Sequence, residues 1–332
     1  MRCYNQKYKR TQGSLGYYCN PESWTACQLS AFSTMASYAK TISEEPVDAG
    51  SPAPALPWAA MAWFAALLLI CYVPVLKALI HNWWTDGDMG HGFFVPLVSG
   101  YILWQRRAEL AAVRPQPSYW GLSAIVIGAV LMVVGTLGAQ IFVARVAFLI
   151  SLFGVVYFLG GKPVMRVVAF PLFLLVFMIP IPSIIYARIT LPLQLFASTV
   201  AEHVLALVGI PVLRDGNVLE LASQRLSVVE ACSGIRSLLS LTFLALVYGY
   251  FFDSKPWMRW LLLAATIPVA IAANAARVTL TGMVSEYRVD LAQGLFHELE
   301  GFVLFIVAVV LLVAFHQLVN KIYQSRQRHA AA

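Results

Sequence analysis

Apolar residues occur along this chain in long blocks rather than in the short alternating runs of a soluble fold. Eight blocks approach bilayer-spanning length, at about 58–80, 91–104, 120–138, 141–160, 167–182, 233–252, 257–279 and 297–319. A helix rising ~1.5 Å per residue needs about 20 predominantly apolar residues to cross a hydrocarbon core of ~30 Å. The second and fifth blocks are short. The fifth runs into Ile179-Pro180-Ile181-Pro182, where proline removes a backbone donor and clashes with the preceding turn. The pattern predicts an all-α, polytopic helical membrane protein with about eight transmembrane helices.

Only one connection is long, residues 183–231. Its first part, 184–209, has the length to cross, but it carries Arg188, Gln194, Glu202 and His203, and a crossing there would reverse every later connection. The expectation is an amphipathic helix or a helical hairpin lying at the outer face. Arg214-Asp215-Gly216-Asn217 then signals a turn. Val218–Leu221 and Leu226–Val229 alternate as short strands, forming a small extracytoplasmic β-like hairpin that delivers the chain to Cys232.

Composition sharpens this picture. With 60% hydrophobic and 12% charged residues in 332, an ordinary soluble domain is excluded. The net charge of +7 comes without any basic run interleaved with aromatics, so no nucleic-acid partner is expected. The charge is placed by loop instead. Fifteen of the 23 Lys and Arg lie in the two terminal segments and in, or at the edge of, every second connection (Arg259 being at an edge), whereas Arg188, Arg214, Arg225 and Arg288 are the four in the alternate connections. The positive-inside rule then puts both termini in the cytoplasm of a multi-pass inner-membrane protein. The predicted organisation is a cytoplasmic tail over 1–57, a membrane-embedded unit over 58–320 and a cytoplasmic tail over 321–332. Residues 1–34 contain Cys3, Cys19 and Cys27 but no signal-peptide core. From Met35 the chain reads as an ordinary lead-in, and translation is expected to begin there.

The remaining cysteines are Cys71, inside the first apolar block, and Cys232. Neither CxxC nor Cys/His metal spacing occurs, so no metal and no cofactor is expected. Cys232 stands where a polar segment turns into an apolar block, and a helix N-terminus favours thiolate. Arg277 closes the block before the last, and His297 opens the last one. With eight spans and the orientation above, all three fall at the extracytoplasmic side at one depth. Singly, each has an ordinary reading: a small apolar filler, a snorkelling cation, a helix-end cap. Together they offer a nucleophile, an imidazole for proton transfer and a guanidinium for an oxyanion or a substrate carboxylate. Ser233 and Gly234 would add backbone N–H groups of a first helical turn. Asn274 lies one turn before Arg277, and Arg236 one turn after Cys232, where it either lowers the thiol pKa or pairs with Glu230. His91, beside Asp86 and Asp88, is either a surface cap or a contributor.

The segments Glu230-Ala231-Cys232-Ser233-Gly234-Ile235-Arg236-Ser237-Leu238, Asn274-Ala275-Ala276-Arg277-Val278 and His297-Glu298-Leu299-Glu300-Gly301 resemble the signature blocks of the exosortase/archaeosortase family. Trp84–Trp104, with His91-Gly92, resembles the family's second-helix block. The resemblance covers about 58–320. It implies a membrane-embedded cysteine transpeptidase-like enzyme with Cys232 as nucleophile and Arg277 and His297 as catalytic partners. Its partners would be secreted proteins ending in a Pro-Glu-Pro-type motif, an apolar helix and a basic end, with an unknown acceptor nucleophile, in a host that makes exopolysaccharide. The rival class is a transporter or exopolysaccharide-assembly protein that binds sugar phosphate through Arg277 and His297. Against it, no inverted repeat is evident.

Overall fold

The computed structural model describes residues 58–228, 234–287 and 295–331. The first leg is broken: Trp58–Cys71 (α1) and Val73–Thr85 (α2) meet at 71° around Tyr72. Pro74 stands at the start of α2, where it fits a new helix but cannot donate to the turn before it. The leg therefore bends and extends to Thr85 instead of running straight to residue 80. A 3-10 turn over Gly87–Phe93 leads into Phe94–Gln105 (α3), and Arg107–Ala112 (α4) and Tyr119–Leu137 (α5) follow.

Ile141–Leu174 (α6), continued by a 3-10 turn over Leu175–Met178, holds two antiparallel legs. Gly161 adopts φ 64° and ψ −163° inside it, a region open essentially to glycine alone. A Cβ there would also stand 1.7 Å from the Gln116 carbonyl oxygen. As a result, Ala144 and Phe148 of the first leg pack with Leu174 and Met178. Val156 and Tyr157, near the reversal, pack with Met165 and Val168. The spans expected at 141–160 and 167–182 are these two legs. α5 lies along the first leg with Gly121, Gly128 and Gly135 at the contact, where added Cβ atoms would meet α6 at 2.2, 2.1 and 2.8 Å. Small residues are how membrane helices gain close packing, since lipid supplies little hydrophobic drive between them.

Long-range contacts define two ends of the bundle. At the upper end Trp83 Nε1 donates to the Met178 carbonyl at 2.9 Å. At the lower end Arg106 Nη1 donates to the Val167 carbonyl at 2.6 Å. Gly234–Phe252 (α8) runs antiparallel to the second leg of α6, with Phe243 against Phe177 and Tyr250 stacked on Phe170 at 4.5 Å. Pro256–Tyr287 (α9) and Leu295–Ala331 (α10) complete the bundle. Lys255 Nζ donates to Asn320 Oδ1 at 2.7 Å below, and Gly301 meets Arg277 above. Among the described residues, eight helical legs therefore alternate in direction. By length and composition alone, five helices qualify as spans, six with the bent pair; that measure counts α6 once, omits α3 and α8, and includes the helix Ser183–Leu207. Exposed Trp84 at the upper end and Trp104, Trp120 and Trp260 at the lower suit the two interfaces of a bilayer.

Ser183–Leu207 (α7) also has the length and composition to cross. It leaves from the upper end, however, and the chain is back at that end by Gly234. It is one continuous helix, with Pro192 inside it, rather than a hairpin. Its second half runs beside α9 in the same direction, with Leu205 against Gly282. A three-stranded antiparallel sheet follows: Val212–Asp215 (β1), Val218–Leu221 (β2) and Arg225–Ser227 (β3). The expected β2–β3 hairpin is present, with Leu219 opposite Leu226, but its second strand runs Arg225–Ser227 rather than 226–229, and Val229 lies outside the described residues. The turn at Gly216 and Asn217 joins it to an additional strand, β1. Leu219 and Leu221 pack on Ala197, Ala201, Ala275 and Val278. This cover, together with Gln224 Nε2 donating to Ser285 Oγ at 2.8 Å, explains why α9 continues to Tyr287 rather than ending near residue 279.

Candidate active site

Arg277 lies 21 residues beyond Pro256 on α9, about 31 Å along the helix, which is about one hydrocarbon thickness. Asn274, one turn earlier, faces the same small cavity as Arg277, lined also by Leu241 of α8 and by Gly301 and Leu304 of α10. That cavity holds only about 10 Å³, roughly a single water. Arg277 is half-buried. It lies on the backbone of α10: a Cβ on Gly301 would stand 2.8 Å from Nη2 and 2.9 Å from Cζ. Glycine at 301 is what lets the cation approach.

Thr281, one turn past Arg277, joins the same corner. Its hydroxyl lies 3.0 Å from the Arg277 carbonyl and 2.9 Å from Glu300 Oε2. Glu300 is only 7% exposed; burial works against its charged form, and the Thr281 hydroxyl and the Arg277 charge work for it. In the sequence, Glu300 belongs to the block His297-Glu298-Leu299-Glu300-Gly301. The available signal was an acidic residue within an apolar helix, which is costly in a membrane and functional by default.

The expected site residues divide as follows. Arg277 and Asn274 come together as expected. His297 lies in the first turn of α10, one turn before Gly301, which places its backbone at the register position above Arg277; its side chain lies outside the described residues. Arg236 sits in the first turn of α8, with its side chain likewise outside. Glu230, Cys232 and Ser233 lie outside the described residues, immediately before Gly234. His91 is not a surface cap: its Nε2 donates to the Phe177 carbonyl at 3.2 Å and its Nδ1 lies 3.3 Å from Ser240 Oγ. It links the turn before α3 to the 3-10 turn that continues α6 and to α8, two turns down from the start of α8.

A second buried polar cluster was not anticipated. At the lower end, His316 Nε2 donates to Asp253 Oδ2 at 3.0 Å, and the Tyr248 hydroxyl donates to Nδ1 at 2.9 Å. The Lys255 N–H donates to Asp253 Oδ1 at 2.7 Å. Burial by itself pushes the Asp253 carboxyl up, but the His316 and Lys255 hydrogen bonds outweigh it and hold the group below its ordinary value. The cluster clamps the α8–α9 connector to α10, a helix length away from Arg277.

A polytopic α-helical membrane protein with a cation packed at one end of its helical legs is the class that fold and site define. Comparison with protein families matches residues 83–314 to the transmembrane exosortases (Exosortase_EpsH). The chain belongs to that family. No curated protein and no solved structure matches it.

Proposed function

We propose that this exosortase is a cysteine protease and transpeptidase that processes secreted proteins carrying a C-terminal Pro-Glu-Pro-type sorting signal. Cys232 attacks the scissile carbonyl, Arg277 stabilises the oxyanion, and His297 returns the proton to the leaving amine. The resulting thioester passes to water or to an acceptor nucleophile. One observation carries this reading: Arg277 is packed on Gly301, one turn from His297, at the end of the bundle where α8 begins just after Cys232. An apolar hollow of about 650 Å³ at the same end, lined by Phe142, Phe177, Ile181 and Leu239 among others, is the lateral surface assigned to the substrate's apolar helix. The charge pattern supports an inner-membrane orientation with the termini in the cytoplasm and this end in the periplasm.

The test is Cys232→Ala in cells that express a secreted protein with such a signal. Unprocessed substrate accumulates while the enzyme inserts at its normal level. Normal processing by the alanine variant overturns the mechanism.

A further inference from the structure

We propose that Glu300 is a positioning residue for Arg277, and that a Glu300–Thr281 pair on two helices fixes the guanidinium against Gly301. The proposal rests on the catalytic reading of Arg277 given above. Three observations support it. Glu300 is buried near the upper end of α10 with Oε2 held by the Thr281 hydroxyl at 2.9 Å, and Oε1 has no hydrogen-bond partner among the described residues. A buried carboxylate is costly unless a cation and hydrogen bonds compensate it; burial is the largest influence on this one and opposes its charge, while the Thr281 hydroxyl and then the Arg277 charge favour it. The residue that follows Glu300 is the one on which the guanidinium lies.

The hydroxyl of Thr281 completes the device. It has a single proton to share between the Arg277 carbonyl, at 3.0 Å, and the Glu300 carboxylate. That hydroxyl ties the α9 turn bearing Arg277 to the α10 turn bearing Glu300. A flexible arginine can reach many positions at the membrane edge, and an oxyanion requires one of them. Glu300 selects it by charge, Thr281 sets the distance between the helices, and Gly301 leaves room. Neither Glu300 nor Thr281 need touch substrate.

The experiment uses the full-length enzyme in detergent with a substrate carrying the sorting signal. Glu300→Gln lowers kcat by up to about 10²-fold, as expected for a displaced catalytic group, and leaves KM nearly unchanged. Thr281→Val lowers it in the same direction, and Thr281→Ser keeps more of the rate than the valine variant. The deciding readout is chemical rescue. Arg277→Ala regains part of its activity in added guanidinium chloride at sub-denaturing concentration, and the Arg277→Ala/Glu300→Gln double variant does not, because the anion that holds the free guanidinium has gone. Wild-type kcat in a folded Glu300→Gln protein overturns the proposal, as does equal rescue of the single and double variants. If Glu300→Gln does not fold, Thr281→Val decides: full activity there overturns the proposal. An active Cys232→Ala variant would instead remove the catalytic reading itself, so the two failures are distinguishable.

Discussion

Nη2 of Arg277 lies only 2.8 Å from where a β-carbon on Gly301 would stand. A cation at the edge of a membrane ordinarily snorkels toward headgroups. This one is held instead against the backbone of the neighbouring helix, near a buried carboxylate.

Gly301→Ala is expected to spare folding and impair catalysis. The clashing atoms are the far end of a flexible side chain, so the guanidinium moves rather than the helices. Substrate turnover falls by about tenfold or more, within the range known for misplaced catalytic groups, while the melting temperature in detergent changes little. Wild-type turnover would show that the close approach has no catalytic consequence.

Arg277→Lys and His297→Gln separate the two partner roles. Lysine keeps a positive charge but loses the planar fork, so some activity remains if charge on the oxyanion is what matters. If Arg277 grips a substrate carboxylate, KM rises more than kcat falls. Glutamine at 297 keeps the size but removes proton transfer, at a cost of about 10²–10⁴-fold. Single-turnover trapping of the Cys232 thioester shows which step slows; near wild-type turnover in His297→Gln would reduce the imidazole to a helix-end residue.

Orientation is open to direct measurement. Reporter fusions after Gln116 and after Asp253 are expected in the cytoplasm, and one after Gly216 in the periplasm. Gln116 donates its N–H to the Gly160 carbonyl, so the connection at Gln116 and the reversal at Gly161 lie at one end of the bundle. A cytoplasmic signal at Gly216 would mean that α7 crosses.

The Asp253–His316 pair predicts an acid-sensitive stability. Because the folded carboxyl is held below its ordinary value of 3.8, its contribution is present above about pH 4 and is lost as the pH falls through the lower folded value. Asp253→Ala, which leaves His316 without its acceptor, should cost about 3 kcal/mol, the low end for a broken buried pair. The melting temperature of the wild-type protein should drop more on acidification below pH 4 than that of the variant. Parallel acid profiles would show that the pair contributes nothing to stability. Activity per folded molecule is unaffected, since the pair lies at the other end of the bundle from Arg277.

By itself, the sequence determined the all-α membrane architecture, the succession of legs and the grouping of Arg277 with Asn274. These are local properties: an apolar block of sufficient length in lipid has little alternative to a helix, and residues one turn apart share a face. Tertiary structure decided what depends on neighbours far along the chain. Gly161 reverses α6 because the Gln116 carbonyl occupies the space a side chain would need. β1 forms and α9 lengthens because α7 and the sheet cover each other's apolar faces. His91 turned inward to Phe177 and Ser240, Asp253 found His316, and Thr281 met Glu300 beside Arg277. Hydropathy is equally satisfied by lipid or by another helix, so it cannot choose among these partners; small residues and buried polar pairs do, and they act only once the helices are side by side.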